Sequence, residues 1–364
     1  MSNNIDVKRS LRNPLIKPSD VKASREDFKV DGVFNCGVCK YNDEYILLCR
    51  VAESVKVVSE NEVKIPVVVN KNGEDVIEIV SFNKKVDTQF DYSDSRSLWI
   101  TDVKGGRKIA YLTSLSHIRV ARSKDGENFE IADEAFIKPI ASEEEWGIED
   151  PRITQIDDTY YINYTSVTRN GAATSLVSTK DFVSYERHGI IFAPENKDVT
   201  IFPEKINGKY ITFNRPVPSA IGGPDMWMAE SHDLIHWGKQ KHFYGVSNDD
   251  SWENGRVGGG AVPFLTEKGW VKIYHAADKD NRYCLGAFLL DKDDPSKILA
   301  KTNRAILEPK EDYEIEGFFG NVVFTCGCLF EDGIVKIYYG AADDKVCRAD
   351  IKIEDIFKVM DKIV

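Results

Sequence analysis

A short piece of sequence recurs along this chain: a polar turn followed by a strand that opens on an aromatic or aliphatic residue. It reads Asn42-Asp43-Glu44-Tyr45-Ile46-Leu47, Asp157-Asp158-Thr159-Tyr160-Tyr161-Ile162, Asn207-Gly208-Lys209-Tyr210-Ile211-Thr212, Glu267-Lys268-Gly269-Trp270-Val271-Lys272 and Glu331-Asp332-Gly333-Ile334-Val335-Lys336. A second piece closes a polar turn on an aromatic, at Ser123 to Phe129, Ser178 to Tyr185 and Ser231 to Trp237. Ser54 to about Arg107 is more polar and less regular, and reads as an insertion. With it set aside, the first piece returns roughly every 50 to 65 residues, the length of a four-stranded unit. Five copies predict an all-β chain, a single five-bladed β-propeller domain over 1–364 with an insertion at about 54–107. A lone blade would leave both faces of its sheet apolar, whereas radial stacking buries them and shelters the edges. A β-sandwich with chance likeness among its hairpins is the competing architecture.

Local text agrees with strands throughout. Val33 to Tyr41 and Tyr45 to Ala52 flank the turn Asn42-Asp43-Glu44, and a hairpin is expected around Asn70-Lys71-Asn72-Gly73 inside the insertion. Ile109 to His117, Ile118 to Ser123 and the alternating run Ile153 to Tyr164 read as further strands. Hydrophobic residues make up 42% and charged residues 29%, and no apolar run approaches the ~18 residues of a membrane span. The first nine residues lack a signal peptide's apolar core, which leads us to expect a cytoplasmic protein. A net charge of -11 argues against a nucleic-acid partner. Cys36/Cys39 and Cys326/Cys328 alternate within apolar strands without partners at zinc-ligand spacing, so reduced thiols and no metal are expected.

The densest chemistry stands at Trp146-Gly147-Ile148-Glu149-Asp150-Pro151-Arg152. A carboxylate followed by Pro cannot settle into a regular ladder, so Asp150 can be aimed at a ligand from the mouth of a strand. A surface turn with an ion pair is the alternative. Inner strands of a propeller converge, which would bring together charges at their ends: Arg50 and Glu53, Asp150 and Arg152, Glu204 and Lys205, Arg256, Tyr274 and His275, Asp343 and Asp344. Gly258-Gly259-Gly260 lacks the following Lys-Ser/Thr and helix of a nucleotide phosphate loop, and reads as a close backbone approach.

Several of these motifs, in order, resemble glycoside hydrolase family 130, the mannoside phosphorylases and related mannosidases on a five-bladed propeller. The matching text is Arg12-Asn13-Pro14-Leu15, Phe34-Asn35-Cys36-Gly37, Gly147 to Thr154, Phe202 to Tyr210, Arg256 to Ala261 and Ile273-Tyr274-His275. The resemblance implies that Asp150 is the single general acid of an inverting reaction at a β-mannosidic bond. Inorganic phosphate, as co-substrate, attacks and α-mannose 1-phosphate leaves. In some members the proton passes through a substrate hydroxyl. Phosphate is already a nucleophile, so such a site needs an acid and cations but no carboxylate base. The resemblance further implies Arg169, Arg187, Arg256, Tyr274 and His275 as phosphate ligands. It makes Asn35, Arg50, Glu53, Arg152, Glu204, Lys205 and Asp343 candidate substrate ligands. No metal or organic cofactor is implied.

Three departures bear on the reaction subclass. Arg256 stands where many phosphorylases have Lys, Asn214 stands where they have His before Arg-Pro, and the insertion resembles text in members acting on β-1,2-linked mannosides. Phosphorolysis of a β-1,2-mannoside is the favoured expectation. An inverting β-1,2-mannosidase is the alternative, needing a base to activate water, for which Glu253 is the candidate, with Glu204 behind it. A noncatalytic glycan-binding propeller is a third reading. The insertion is a candidate for shaping the pocket or for a contact in a homo-oligomer.

Overall fold

The computed structural model describes residues 5–101, 105–218, 220–247, 249 and 251–363. The chain is all-β, with five antiparallel sheets following one another along it. The first takes Phe28–Tyr41, Glu44–Val55, Leu115–Ser123 and Glu130–Ile131; the second Ile148–Ile156, Thr159–Thr168, Gly171–Thr179 and Glu186–Phe192. The third takes Asn196–Ile201, Tyr210–Pro216, Met226–Ser231 and Trp237–Tyr244. The fourth runs through Arg256–Gly259, Gly269–Ala277, Tyr283–Leu290 and Ile298–Thr302 to Met360–Lys362, with Phe264–Thr266 beside its second strand. The fifth takes Val323–Glu331, Ile334–Ala341 and Lys345–Lys352, and is completed by Val7–Arg9 from the other end of the chain, Val7 pairing with Ile351.

Buried clusters fill the spaces between neighbouring sheets. Leu48 and Ile118 share one with Ile153 and Ile162, and Leu176 and Phe192 share the next with Val199 and Ile201. Phe213 and Met228 join Trp270 and Phe288, while Ile273 and Leu285 join Val335 and Ile337. A further cluster takes Tyr338 and Val346 of the fifth sheet back to Val33 and Cys49 of the first. Alternation along a strand makes this work: Ile46 and Leu48 serve one cluster, Leu47 and Cys49 the other. Each such side chain contributes roughly 1.5–3 kcal/mol by leaving water.

Two expected strands are divided. The run from Ile153 to Tyr164 reverses at Asp157 (φ 54), because consecutive Asp residues favour a turn over a ladder. The run from Ile109 to His117 breaks between Leu112 and Leu115. Within the insertion, Glu62–Lys71 pairs with Glu74–Asn83 through Asn72 and Gly73 at φ 54 and 92, the expected tight hairpin. Phe90–Asp91, Ser97–Thr101 and Arg107–Leu112 form a small sheet beside it. Ile65, Val67 and Leu98 of the insertion pack on Trp146, and the Val68 N–H donates to the Glu145 carbonyl at 2.9 Å. The insertion thus leans on the loop that leads into Asp150.

All seven cysteines are free thiols. Among the described residues no helix is long and apolar enough to cross a membrane.

Candidate active site

The first strands of the first three sheets carry the same irregularity. Their pairing slips between Phe34 and Gly37, between Glu149 and Arg152, and between Lys197 and Thr200. Within these bulges Asn35, Asp150 and Asp198 adopt φ of 49, 53 and 56. Asn and Asp tolerate the left-handed region better than other residues with a side chain, and a bulge re-aims the residue it holds. Pro151 keeps the second bulge from annealing, since it has no N–H to give a ladder. The three side chains, with Glu149, Lys197 and Arg50, reach one cavity of about 450 Å³.

Asp150 is buried at the cavity's floor. Its Oδ1 accepts from Asn35 Nδ2 at 2.9 Å and from Arg50 Nη1 at 3.2 Å. Arg50 spends another nitrogen on Glu149 at 2.7 Å and lies 4.7 Å over the Phe34 ring. Burial pushes the Asp150 carboxyl up, but Arg50, Lys197 and Arg152 together with the Asn35 hydrogen bond outweigh it and hold the group below its ordinary range. Across the cavity Asp343 (φ 54) is pushed up to about 7, by burial first and by the charge of Asp150, with Arg50 only partly relieving it.

The cationic side is built on Asp198. Its Oδ2 accepts from Arg215 Nε at 2.7 Å and contacts His275 Nε2 at 3.2 Å, while Oδ1 meets Arg152 Nη2 at 3.3 Å. Burial would raise this carboxyl, yet Arg215, His275 and Arg152 hold it well below the usual range. Arg256 is oriented by Tyr283 at 3.0 Å and Asn281 at 2.6 Å. Lys197, 3.6 Å from Glu149, stays charged because Glu149, Asp150 and Asp198 more than offset its burial. Gly258 makes the junction possible, since a Cβ there would stand 2.5 Å from both Asp198 Oδ2 and His275 Nε2.

Of the expected ligands, Asn35, Arg50, Asp150, Arg256 and Asp343 line this cavity. The others do not line it: Arg152 and His275 lie behind its wall, against Asp150 and Asp198, and the rest are turned away from it. Glu53 lies three residues after Arg50 on one strand and so takes the opposite face, where it accepts from the Ser24 N–H and meets Arg119. Tyr274, next to His275, likewise turns into the core, stacked on Phe288 and donating to Glu253. His275 is enclosed beneath the site and driven down to about 4 by burial, so it is neutral and supports Asp198. Arg152 spends its donors on Gly259, Gly260, Asp150 and Asp198 within the protein.

Glu204 and Lys205 follow the far end of Asn196–Ile201, beyond about 10–13 Å of strand that separates that end from Lys197 and Asp198. Arg187 sits on the outermost strand of the second sheet, held by Glu144, Tyr164 and the Lys138 carbonyl. Arg169 is an exposed turn residue in a two-toothed pair with Glu145. Glu253, the candidate base, is enclosed by Tyr244, Tyr274 and Lys301. Among the described residues no group of three or more His, Cys, Asp or Glu could hold a metal ion.

Sequence reasoning passed over Glu149, Lys197, Asp198 and Arg215 as ligands, and Arg96, with which the insertion reaches the cavity wall. A signal existed for two of them. Lys197-Asp198 opens the third sheet as Glu149-Asp150 opens the second, a charged pair ahead of an apolar strand.

The chain is similar to several known proteins. The sequence model of glycoside hydrolase family 130, described as beta-1,4-mannooligosaccharide phosphorylase, matches residues 107–362. The beta-1,2-mannobiose phosphorylase of Listeria innocua is 48% identical over 354 residues, 97% of this chain and 98% of that protein. The 1,2-beta-oligomannan phosphorylase of a Thermoanaerobacter species is 40% identical over 70% of this chain and 84% of its own length. The solved structure of the beta-1,2-mannobiose phosphorylase from Listeria innocua in complex with beta-1,2-mannobiose superposes with a TM-score of 0.92 at 46% identity, covering 98% of this chain and 99% of that one. The chain belongs to glycoside hydrolase family 130.

Proposed function

We propose that this protein is an inverting phosphorylase of β-1,2-linked mannosides, mannobiose or short oligomannosides, and that its five sheets are the blades of one propeller domain over 1–364 with an insertion at about 54–107. The observation that carries the reaction is the sharing of one cavity by a buried acid, Asp150, and three cations, Lys197, Arg215 and Arg256. The two terminal nitrogens of Arg215 take no hydrogen bond among the described residues, so they are open to an anion. Forked guanidinium donors suit a phosphate dianion. The names of the relatives at 48% and 40% identity support the substrate class. The ring of clusters closed between the fifth and first sheets supports the propeller.

Such a site works as follows. An oxygen of HPO₄²⁻ attacks the anomeric carbon from the face opposite the leaving sugar; the C1–O bond to that sugar breaks as the new C1–O bond to phosphate forms. The proton on Asp150 passes to the departing oxygen, directly or through a sugar hydroxyl. The proton that phosphate carried in then returns to the carboxylate. Without phosphate, the surrounding cations keep Asp150 ionised. A bound dianion offsets those cations and raises the affinity of Asp150 for the proton it must donate. Phosphate therefore supplies the nucleophile and loads the acid. The hydrolytic alternative needs a base; Glu253, its first candidate, is spent on Tyr244, Tyr274 and Lys301, and Glu204 does not line the cavity.

Incubation with β-1,2-mannobiose, with and without inorganic phosphate, tests this reading when mannose and mannose 1-phosphate are resolved by NMR. Sugar phosphate formed only in the presence of phosphate is the expected result. Free mannose released at the same rate without phosphate overturns it.

A further inference from the structure

We infer that Asn35 is a positioning residue for the proton donor: together with Arg50 it occupies Oδ1 of Asp150, commits Oδ2 to carrying the proton, and depends on Gly340 for the space it fills. The inference rests on the proposed role of Asp150 as acid. It differs from the expectation that Asn35 binds sugar.

The geometry is one-sided. Asn35 Nδ2 and Arg50 Nη1 both donate to Oδ1, at 2.9 and 3.2 Å, while Oδ2 accepts no hydrogen bond among the described residues. With both lone pairs of Oδ1 facing donors, a proton added there would displace one donor and confront a guanidinium N–H. Oδ2 has no such competitor. An acid with one committed oxygen needs no rotation before transfer, which is the advantage of holding the donor in line.

Asn35 is itself over-determined. It is 4% exposed and held at φ 49 inside a bulge. Its carbonyl oxygen is buried without a hydrogen-bond partner. That oxygen faces Gly340, where a Cβ would stand 2.1 Å away and also 3.0 Å from the Asn35 backbone nitrogen. Gly340 is not among the glycines at positive φ, so its backbone does not itself demand glycine. The missing side chain at 340 makes way for the Asn35 amide, whose oxygen has no hydrogen-bond donor there. Turning the amide over would set its oxygen against Asp150 Oδ1, two acceptors in contact. The unpaired carbonyl is thus a cost accepted to keep Nδ2 on the acid.

The test is steady-state phosphorolysis of β-1,2-mannobiose across pH, with both KM values, for Asp150→Asn, Asn35→Asp, Asn35→Gly, Gly340→Ala and the double variant Asn35→Gly with Gly340→Ala. Asn35→Asp keeps the shape and the left-handed backbone but sets two carboxyls at hydrogen-bond distance, which then share a proton. It is expected to lower kcat about tenfold or more, to leave both KM values within about threefold, and to move the alkaline limb upward by roughly one pH unit. Gly340→Ala is expected to lower kcat about fivefold or more in the native background and to cost clearly less beside Asn35→Gly, where only the 3.0 Å approach to the residue-35 backbone nitrogen remains. A raised mannobiose KM with unchanged kcat, an unmoved pH profile, or an equal cost of Gly340→Ala in both backgrounds overturns the inference. Should Asn35→Asp fail to fold, the double-mutant cycle of Asn35→Gly and Gly340→Ala decides alone. Full turnover by Asp150→Asn would instead overturn the proposed function, whereas an inactive Asp150→Asn beside unaffected Asn35 and Gly340 variants overturns only the role of Asn35.

Discussion

Arg215 donates its Nε–H to Asp198 Oδ2 at 2.7 Å, and the carboxylate that holds it is wholly enclosed. A guanidinium gripped at Nε keeps its two terminal nitrogens pointing the same way. The strand positions of the two residues explain the grip: Lys197 pairs with Arg215, so Asp198, turned out of register by its bulge, sits beside it. The side of the cavity proposed to take phosphate is therefore preorganised by Asp198, which holds Arg215 in place.

Arg215→Lys keeps the charge but loses both the fork and the bond to Asp198. The phosphate KM is expected to rise about tenfold, equivalent to roughly 1.4 kcal/mol, while the mannobiose KM stays within about threefold. Initial rates with phosphate varied at saturating mannobiose measure this.

Asp343 gives a pH-dependent stability. Its carboxyl, pushed up to about 7, binds a proton more tightly in the folded chain than in the unfolded one. The stability this contributes is present below the ordinary carboxylate value and is lost as pH rises to about 7. Asp343→Asn, which cannot ionise, is expected to stabilise the protein at pH 8 by roughly 1–2 kcal/mol after solvent screening, with little gain at pH 4. Denaturant unfolding at the two pH values reads the difference.

Glu253→Gln separates structure from chemistry. The carboxylate is the buried counter-ion of Lys301 and the acceptor of two tyrosine hydroxyls. Removing one member of such a pair is expected to cost about 2–4 kcal/mol in denaturant unfolding, with kcat of the folded enzyme within about twofold. A collapse of kcat in a fully folded variant would contradict the assignment.

Arg169→Ala removes an exposed ion pair with Glu145. Such pairs are worth under about 1 kcal/mol, so stability is expected to change little and the phosphate KM to remain within about twofold. Initial-rate kinetics check the second point.

Much of the architecture was legible because it is written locally. The recurring turn-and-strand piece marks where the second strand of each sheet begins, as at Tyr45, Tyr160, Tyr210, Trp270 and Ile334. Asn72-Gly73 announced its hairpin for the same reason: the positive φ values it needs suit those two residues. At Asp157-Asp158 the recurring piece marks the turn correctly, while the alternation from Ile153 to Tyr164, read by itself, runs through it as one strand. Site residues were harder, because a charge near a strand end does not declare which end or which face it takes. Arg50 and Glu53 look equivalent in sequence and lie on opposite faces; Lys205 looks like a ligand and stands at the wrong end of the strand that presents Lys197.

The sequence by itself determined the all-β character, the five turn-and-strand units in their order, and the backbone restriction that Pro151 places on Asp150. Those depend on turn chemistry, strand periodicity and backbone restrictions that act over a few residues. The tertiary structure alone decided that Lys197, Asp198 and Arg215 join Asp150, and that Tyr274, Arg187 and Glu253 do not. Which charges share a cavity depends on bulges that turn single residues out of alternation and on how five sheets are set against one another. Those are properties of contacts between distant segments, and no short stretch of the chain contains them.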